Sequence, residues 1–241
     1  MEKYSIDPSS FDFLKAENFL RKTIKAIDGR LLPVSTVFCV GQNYVKHIEE
    51  LKSINVGKPL IFIKPPTSII EIGQDIQYPS FSSQVHHEVE IAIYIGKGGK
   101  NIEPVDIPEH IGGFAIALDL TCRDIQSEAK KNQGPWAISK GFDGSSPISP
   151  IYPFSFVKND ITKLNQMHFY LKKNNDTVQN GDGSLMIFPI TTLISYISKH
   201  FTLEVGDIIL TGTPEGVGPI EKGDTLSFGG DDVEEVSFVV R

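Results

Sequence analysis

Two stretches of this chain put carboxylates where an apolar sheet interior would otherwise continue, and that constrains the fold more than any other feature. Residues 112–120 read Gly-Gly-Phe-Ala-Ile-Ala-Leu-Asp-Leu, a strand whose end carries Asp119. An unpartnered carboxylate there would be costly to bury. Residues 85–95 read Val-His-His-Glu-Val-Glu-Ile-Ala-Ile-Tyr-Ile. Alternation along a strand sends Glu88 and Glu90 to one face, with their Cα atoms roughly 6.5 Å apart. On its own a Glu-x-Glu strand is an ordinary solvated sheet face. Asp119 changes that reading, because acids this close repel one another unless a divalent ion turns them into ligands. Three carboxylates without a cysteine set make a hard, oxygen-rich site, which points to magnesium, or manganese, before zinc or copper. Such a site leaves coordination positions open for the carboxylate and keto oxygens of a 2-oxo acid, whose carbonyl the ion would polarise. The spacing disfavours a glycosidase, whose two carboxylates must flank the scissile bond.

The remaining composition sets outer bounds. At 241 residues one domain is the default. A formal net charge of -7, without a basic run, argues against nucleic acid as a partner. Cys39 and Cys122 lie far apart, which supports neither a disulfide framework nor a thiolate zinc site and fits a reducing, cytoplasmic setting. The N-terminus does not read as a secretory signal, and no apolar run reaches spanning length, so no membrane partner is expected.

Periodicity predicts a strand-dominated α+β fold. Residues 1–35 read as an appended helical segment packed on a main domain of residues 36–241. Strands are expected at 36–40, 59–64, 85–95, 112–120, 166–172, 207–210 and 233–240, and helices at 44–51, from 121 toward 131, and at 191–200. Thr121 and Asp124 are spaced like a relative of the capping box. Asn174-Asn175-Asp176 predicts a hairpin turn. His86 and His87, adjacent on a strand, must face opposite ways. The Gly-rich run at 211–218 lacks the ending of a P-loop and reads as a substrate turn.

Taken in order, these motifs resemble the fumarylacetoacetate hydrolase family, and most closely its acylpyruvase and oxaloacetate decarboxylase branch. They are Val40-Gly41-Gln42-Asn43-Tyr44 with His47 and Glu50, Phe62-Ile63-Lys64-Pro65, His87-Glu88-Val89-Glu90, Leu118-Asp119-Leu120-Thr121-Cys122-Arg123-Asp124-Ile125-Gln126, Trp136 to Lys140, and Thr211-Gly212-Thr213-Pro214-Glu215-Gly216-Val217-Gly218. The resemblance implies a mixed β-sandwich roll, usually homodimeric, around a magnesium ion held by residues matching Glu88, Glu90 and Asp119. It also implies a short lid helix carrying His47 and Glu50, with Glu50 as general base steered by His47, and an active-site lysine at Lys140. Tyr44, Arg123, Gln126 and Thr213 match positions that hold the oxo-acid ligand. Two features depart from the pattern: the segment before Thr36 is longer than in compact members, and Gln42 and Lys46 stand where other residues are common.

The activity this implies is cleavage of the carbon-carbon bond of an acylpyruvate-type 2,4-dioxo acid, giving pyruvate and a carboxylate. Oxaloacetate decarboxylation, oxaloacetate keto-enol tautomerisation and isomerisation or hydration of dienoic 2-oxo acids would use the same site. The reading outside catalysis is an inactive binding module on the same fold. The partner in each enzymatic case is a small 2-oxo acid.

Overall fold

A computed structural model describes residues 22–51 and 57–241. Its centre is a six-stranded sheet in the order Tyr152–Pro153, Ile111–Leu118, Val89–Ile95, Ile208–Leu210, Val37–Gly41 and Leu60–Lys64. Every neighbouring pair is antiparallel except Ile208–Leu210 with Val37–Gly41. A four-stranded antiparallel sheet, Asp176–Asp182, His168–Lys173, Thr225–Gly230 and Val233–Val239, packs with it. A three-stranded sheet joins Gly218–Ile220, Val85–His87 and Thr121–Cys122. The result is the strand-dominated α+β architecture that the periodicity predicts.

Side-chain alternation splits the interior in two. Phe38 and Val40, Val89, Ile91, Ile93 and Ile95, Phe114, Ile116 and Leu118, and Ile209 point into the larger core. The residues between them, Val37, Cys39, Ala92, Tyr94, Ala115, Ala117, Ile208 and Leu210, form a smaller one. The central sheet is therefore buried on both faces, which is why its strands read as nearly continuous apolar runs. Cys39 and Cys122 are both buried and unpaired. Among the described residues no helix is long and apolar enough to cross a membrane.

Several expectations need correction. The helical reading of residues 1–35 falls outside the described residues as far as Arg21. Beyond that point Thr23–Lys25 and Leu31–Pro33 form an antiparallel hairpin instead of a helix. Gly29, at φ +85, supplies the turn between them. The segment at 85–95 is two strands, Val85–His87 and Val89–Ile95, broken at Glu88. The capping box does not form. The helix Arg123–Lys131 starts after Cys122 without a side-chain cap, because Thr121 Oγ1 donates to the Asp119 carbonyl and the Asp124 carboxylate accepts from Ser82 and Ser83. The hairpin joining His168–Lys173 to Asp176–Asp182 is present. Its two-residue turn puts Asn174 and Asn175 at φ 52 and 73, the left-handed pair that a tight hairpin demands and asparagine tolerates.

Candidate active site

Register, which no local pattern reveals, assembles the acids. Val89 pairs with Leu118 and Glu90 with Ala117. One step outward, the Asp119 amide donates to the Glu88 carbonyl at 2.8 Å. Asp119 thus lies across from Glu88, while Glu90 lies two residues along the same face, so cross-strand neighbours share one side of the sheet. All three are buried, and each offers an oxygen within 4.8 Å of the others. Next along that face come Ala92 beyond Glu90 and Ala117 beyond Asp119, small side chains that leave room for the cluster.

Three cations surround the acids. Lys140, on the short helix Ala137–Lys140, sits 2.6 Å from Glu88 Oε2 and 2.7 Å from Asp119 Oδ2. Arg123 donates through Nη2 to Glu88 Oε1 and through Nη1 to Gln126 Oε1 at 2.7 Å. Lys64, fully buried at the end of Leu60–Lys64, has its ammonium 2.7 Å from Asp119 Oδ1. That ammonium directs its hydrogen bonds to Ser145 O, Ser145 Oγ and Ser146 Oγ. Asp119 Oδ1 therefore has a positive neighbour but accepts no hydrogen bond from any described residue. A buried carboxylate oxygen left in that condition is unusual, and it is the atom a metal ion would satisfy.

Titration directions follow from these contacts. Burial alone would raise the pKa of Glu88, but Lys140 and Arg123 overcome it and hold the carboxyl well below the usual range. Glu90 goes the other way. Burial, then Asp119 and Glu88, push its pKa well up, and the Gly212 amide that donates to its Oε2 at 2.6 Å compensates only in part. A divalent ion among the three would reverse that penalty. The Lys140 ammonium keeps its proton, since Asp119 and Glu88 outweigh the effect of burial. The donor set, the bare Asp119 oxygen and the penalised Glu90 all fit a hard divalent cation.

The acids, Arg123, Gln126, Lys140, His47 and Thr213 line one cleft of about 40 Å³, together with Gln42, Lys130 and Trp136. Gln42 holds the left-handed backbone at φ 63, a costly conformation for a residue with a side chain and one that concentrates at functional turns. His47, on the helix Val45–Glu50, is buried, and burial lowers its pKa so that the ring is neutral near pH 7. Its Nδ1 is 3.4 Å from Glu50 Oε2.

Glu50 and Tyr44 are not brought to the cleft wall. The Glu50 carboxylate, beside His47 Nδ1, accepts from the Gly216 amide at 3.1 and 3.3 Å and does not line the cleft. Tyr44 packs into the larger core and bridges to Met186, and its hydroxyl finds no partner among the described residues. Thr213 reaches the wall with its hydroxyl engaged, since it donates to the Val89 carbonyl at 2.9 Å and accepts from Gln179 Nε2 at 3.0 Å.

Three residues without a role in the sequence reading matter here. Lys64 was recognisable only as a charge closing the apolar run Leu-Ile-Phe-Ile, the same signal that exposed Asp119. Gln179 is buried on Asp176–Asp182, accepts from the Val89 amide, and bonds Thr213 and the Pro214 carbonyl, fixing the 213–215 turn against the Glu88–Glu90 segment. Asn43 clamps the same turn from the other side through the Thr211 carbonyl at 2.7 Å. Gly212, at φ +101, leaves no space for a Cβ, which would meet Asn43 at 2.6 Å. Local pattern marks Gln179 and Asn43 as ordinary polar residues, and only tertiary packing gives them their tasks.

With this geometry in hand, the sequence profile described as "Fumarylacetoacetate (FAA) hydrolase C-terminal" matches residues 36–240. The chain belongs to the fumarylacetoacetate hydrolase family. Among its relatives, the mitochondrial oxaloacetate tautomerase of Mus musculus is 40% identical over 205 residues, covering 85% of this chain and 91% of that protein. The oxaloacetate tautomerase of Escherichia coli is 43% identical over 195 residues, covering 81% and 88%. The crystal structure of fumarylpyruvate hydrolase from Pseudomonas aeruginosa in complex with Mn2+ and pyruvate superposes with a TM-score of 0.85 at 33% identity, covering 90% of this chain and 94% of that one. The family is one of enzymes, and the buried Glu-Glu-Asp cluster has the donor set of a divalent-metal site.

One neighbour of the cluster sets an acid limit on stability. His86 has both ring nitrogens buried without a hydrogen-bond partner among the described residues. Burial, with Arg123 and His87 adding to it, lowers its pKa from 6.5 to about 4. Between those values the unfolded chain holds a proton that the folded chain refuses, so stability is full above pH 6.5 and falls as pH descends toward 4. Discounted for partial exposure, the loss is about 1–2 kcal/mol. Replacing His86 by leucine is expected to flatten this limb, read as a smaller difference between urea midpoints measured at about pH 7.5 and about pH 5. An unchanged difference would assign the acid sensitivity to other groups.

Proposed function

We propose that this chain interconverts the keto and enol forms of oxaloacetate. The observation that carries the reading is the placement of His47 on the cleft wall while Glu50, absent from that wall, accepts from the Gly216 amide. Tautomerisation needs one group to take a proton from C3 and a charged environment for the enolate oxygen on C2, with no water to activate. A neutral His47 suits the first task. The Lys140 ammonium suits the second, as a preorganised donor already aimed at the acids around which the substrate would bind. Arg123 Nε has no partner among the described residues and can donate to the 2-oxo carboxylate while Nη2 stays on Glu88. A divalent ion held by Glu88, Glu90 and Asp119, Mg2+ or Mn2+, would supply Lewis acidity at the 2-oxo carbonyl. The protonated His47 then delivers that same proton to the C2 oxygen, giving the enol, or back to C3, giving the keto form, so the ring ends neutral and no atom is gained or lost. The names of the mouse and bacterial relatives favour the same substrate.

Hydrolysis of an acylpyruvate or fumarylpyruvate is the second reading. The Pseudomonas aeruginosa structure and the proximity of Glu50 to His47 support it, with Glu50 activating water against the distal carbonyl. The readings separate on one pair of variants. For tautomerisation, His47→Asn should slow ketonisation of enol-oxaloacetate by about 10²–10⁴-fold, and Glu50→Gln by about tenfold, through poorer orientation of the ring. Acetylpyruvate cleavage faster than oxaloacetate ketonisation, and abolished by Glu50→Gln, would overturn the proposal in favour of hydrolysis. Release of carbon dioxide as the fastest process would replace it with decarboxylation.

A further inference from the structure

The helix Arg123–Lys131 presents Arg123, Gln126 and Lys130 to the cleft. Their spacing of three and four residues places them on one face, and the tilt of helical side chains toward the N-terminus leans Lys130 back toward Arg123. Arg123 is committed to Glu88 and Lys140 to Glu88 and Asp119. Lys130 differs from both. Its ammonium lies 5.2 Å over the ring of Trp136, a cation-π contact, and no described carboxylate lies within ion-pair distance of it. Lys130 is exposed as a residue, but partial desolvation of its ammonium and the nearby Arg123 and Lys140 lower its pKa, and three cations gather at this side of the cleft.

The cleft lining holds three acids, Glu88, Glu90 and Asp119, and three cations, Arg123, Lys130 and Lys140. Lys64, outside the lining but 2.7 Å from Asp119, makes a fourth cation, so the site is already one positive charge in excess before a divalent ion adds two more. A dicarboxylate offsets two of these charges and a monocarboxylate only one, so the field of the site favours the dianion.

We infer that Lys130, braced on Trp136, binds the distal carboxylate of a four-carbon 2-oxo diacid and makes the cleft selective for dicarboxylic over methyl-terminated 2-oxo acids. The inference rests on the reading of the cleft as a 2-oxo acid site and assigns Lys130 a task that neither tautomerisation nor hydrolysis by itself requires. Arg123 takes the carboxylate beside the keto group, and Lys130, two helical turns along the same face, takes the far one. Trp136 confines the Lys130 side chain, so less rotamer freedom is lost when the anion binds.

Oxaloacetate and 2-oxobutyrate make a clean pair of probes, because they differ only by a carboxylate in place of the terminal methyl group. The chain contains a single tryptophan, so Trp136 fluorescence reports binding in the Mg2+-loaded protein without reference to turnover. Wild-type protein should bind oxaloacetate at least about tenfold more tightly than 2-oxobutyrate, about 1.4 kcal/mol. Lys130→Met should remove most of that preference by weakening oxaloacetate alone, and Lys130→Arg should restore it. Equal affinity of the wild type for the two acids would overturn the inference, as would a preference that survives in Lys130→Met or a variant that weakens both acids alike. A Lys130-dependent preference without keto-enol turnover would uphold the inference and overturn the proposed reaction instead.

Discussion

Asp119→Asn is expected to lower the stability of the metal-free protein by about 3–5 kcal/mol, because it leaves buried cations short of their counter-charge. Asp119 Oδ1 faces Lys64 at 2.7 Å and Oδ2 faces Lys140 at 2.7 Å. Lys140 retains Glu88, but Lys64 is 0% exposed and retains only neutral serine oxygens. For a domain of this size each kcal/mol is worth roughly 2–4 °C in Tm, so thermal unfolding in the presence of a chelator reads the effect directly. The same variant should also lose the rise in Tm that millimolar Mg2+ or Mn2+ gives the wild type, since stabilisation by a ligand follows its occupancy of the folded state. Glu90→Gln provides the contrast. Glu90 already resists ionisation without a cation, so a neutral amide should change chelated stability by under about 1 kcal/mol and still abolish the metal-dependent rise. An Asp119→Asn protein that keeps wild-type stability and a full metal response would overturn the assignment of this cluster.

Lys140→Met should produce the opposite response to metal. The Lys140 ammonium bridges Glu88 Oε2 and Asp119 Oδ2, occupying with its own charge the acids that a divalent ion would use. Removing it should tighten Mg2+ binding measured by calorimetry, while keto-enol turnover falls by about 10²–10³-fold through loss of a preorganised donor at the enolate. In the chelated protein the variant leaves Glu88 paired with Arg123 and Asp119 beside Lys64, so folding should survive. Weaker metal binding together with full turnover would place Lys140 in a purely structural role.

How much of this was legible in the sequence depends on the range of the interaction. Glu88, Glu90 and Asp119 could be singled out because each is a charge inside or beside an apolar run, and alternation put the first two on one face. Their convergence with Asp119 needed the pairing of Val89 with Leu118, which is a property of two strands and not of either one. Lys64 carries the same kind of signal as Asp119, yet its partner lies on another strand, and nothing near Lys64 in sequence shows it. The Asn174-Asn175 turn was readable because its backbone requirement is met by those two residues alone. The break at Glu88 was not, because the Val85–His87 segment turns away to pair with Gly218–Ile220 and Thr121–Cys122, contacts that outweigh the local strand pattern. The capping box failed for a related reason. Ser82 and Ser83, from a distant loop, take Asp124 before the helix can. Of residues 1–35, the described part shows that a hairpin with Gly29 at its turn overrides the loosely helical spacing of its apolar residues.

The central sheet has a consequence for how the chain is made. Its middle position, between Val89–Ile95 and Val37–Gly41, is filled by Ile208–Leu210, which leaves the ribosome more than a hundred residues after both of its neighbours. Until then the two halves of the sheet have no strand to join them, and each presents open backbone donors and acceptors at the edge where the other belongs. Nascent protein should thus be most prone to aggregation, and most in need of a chaperone, just before those three residues emerge.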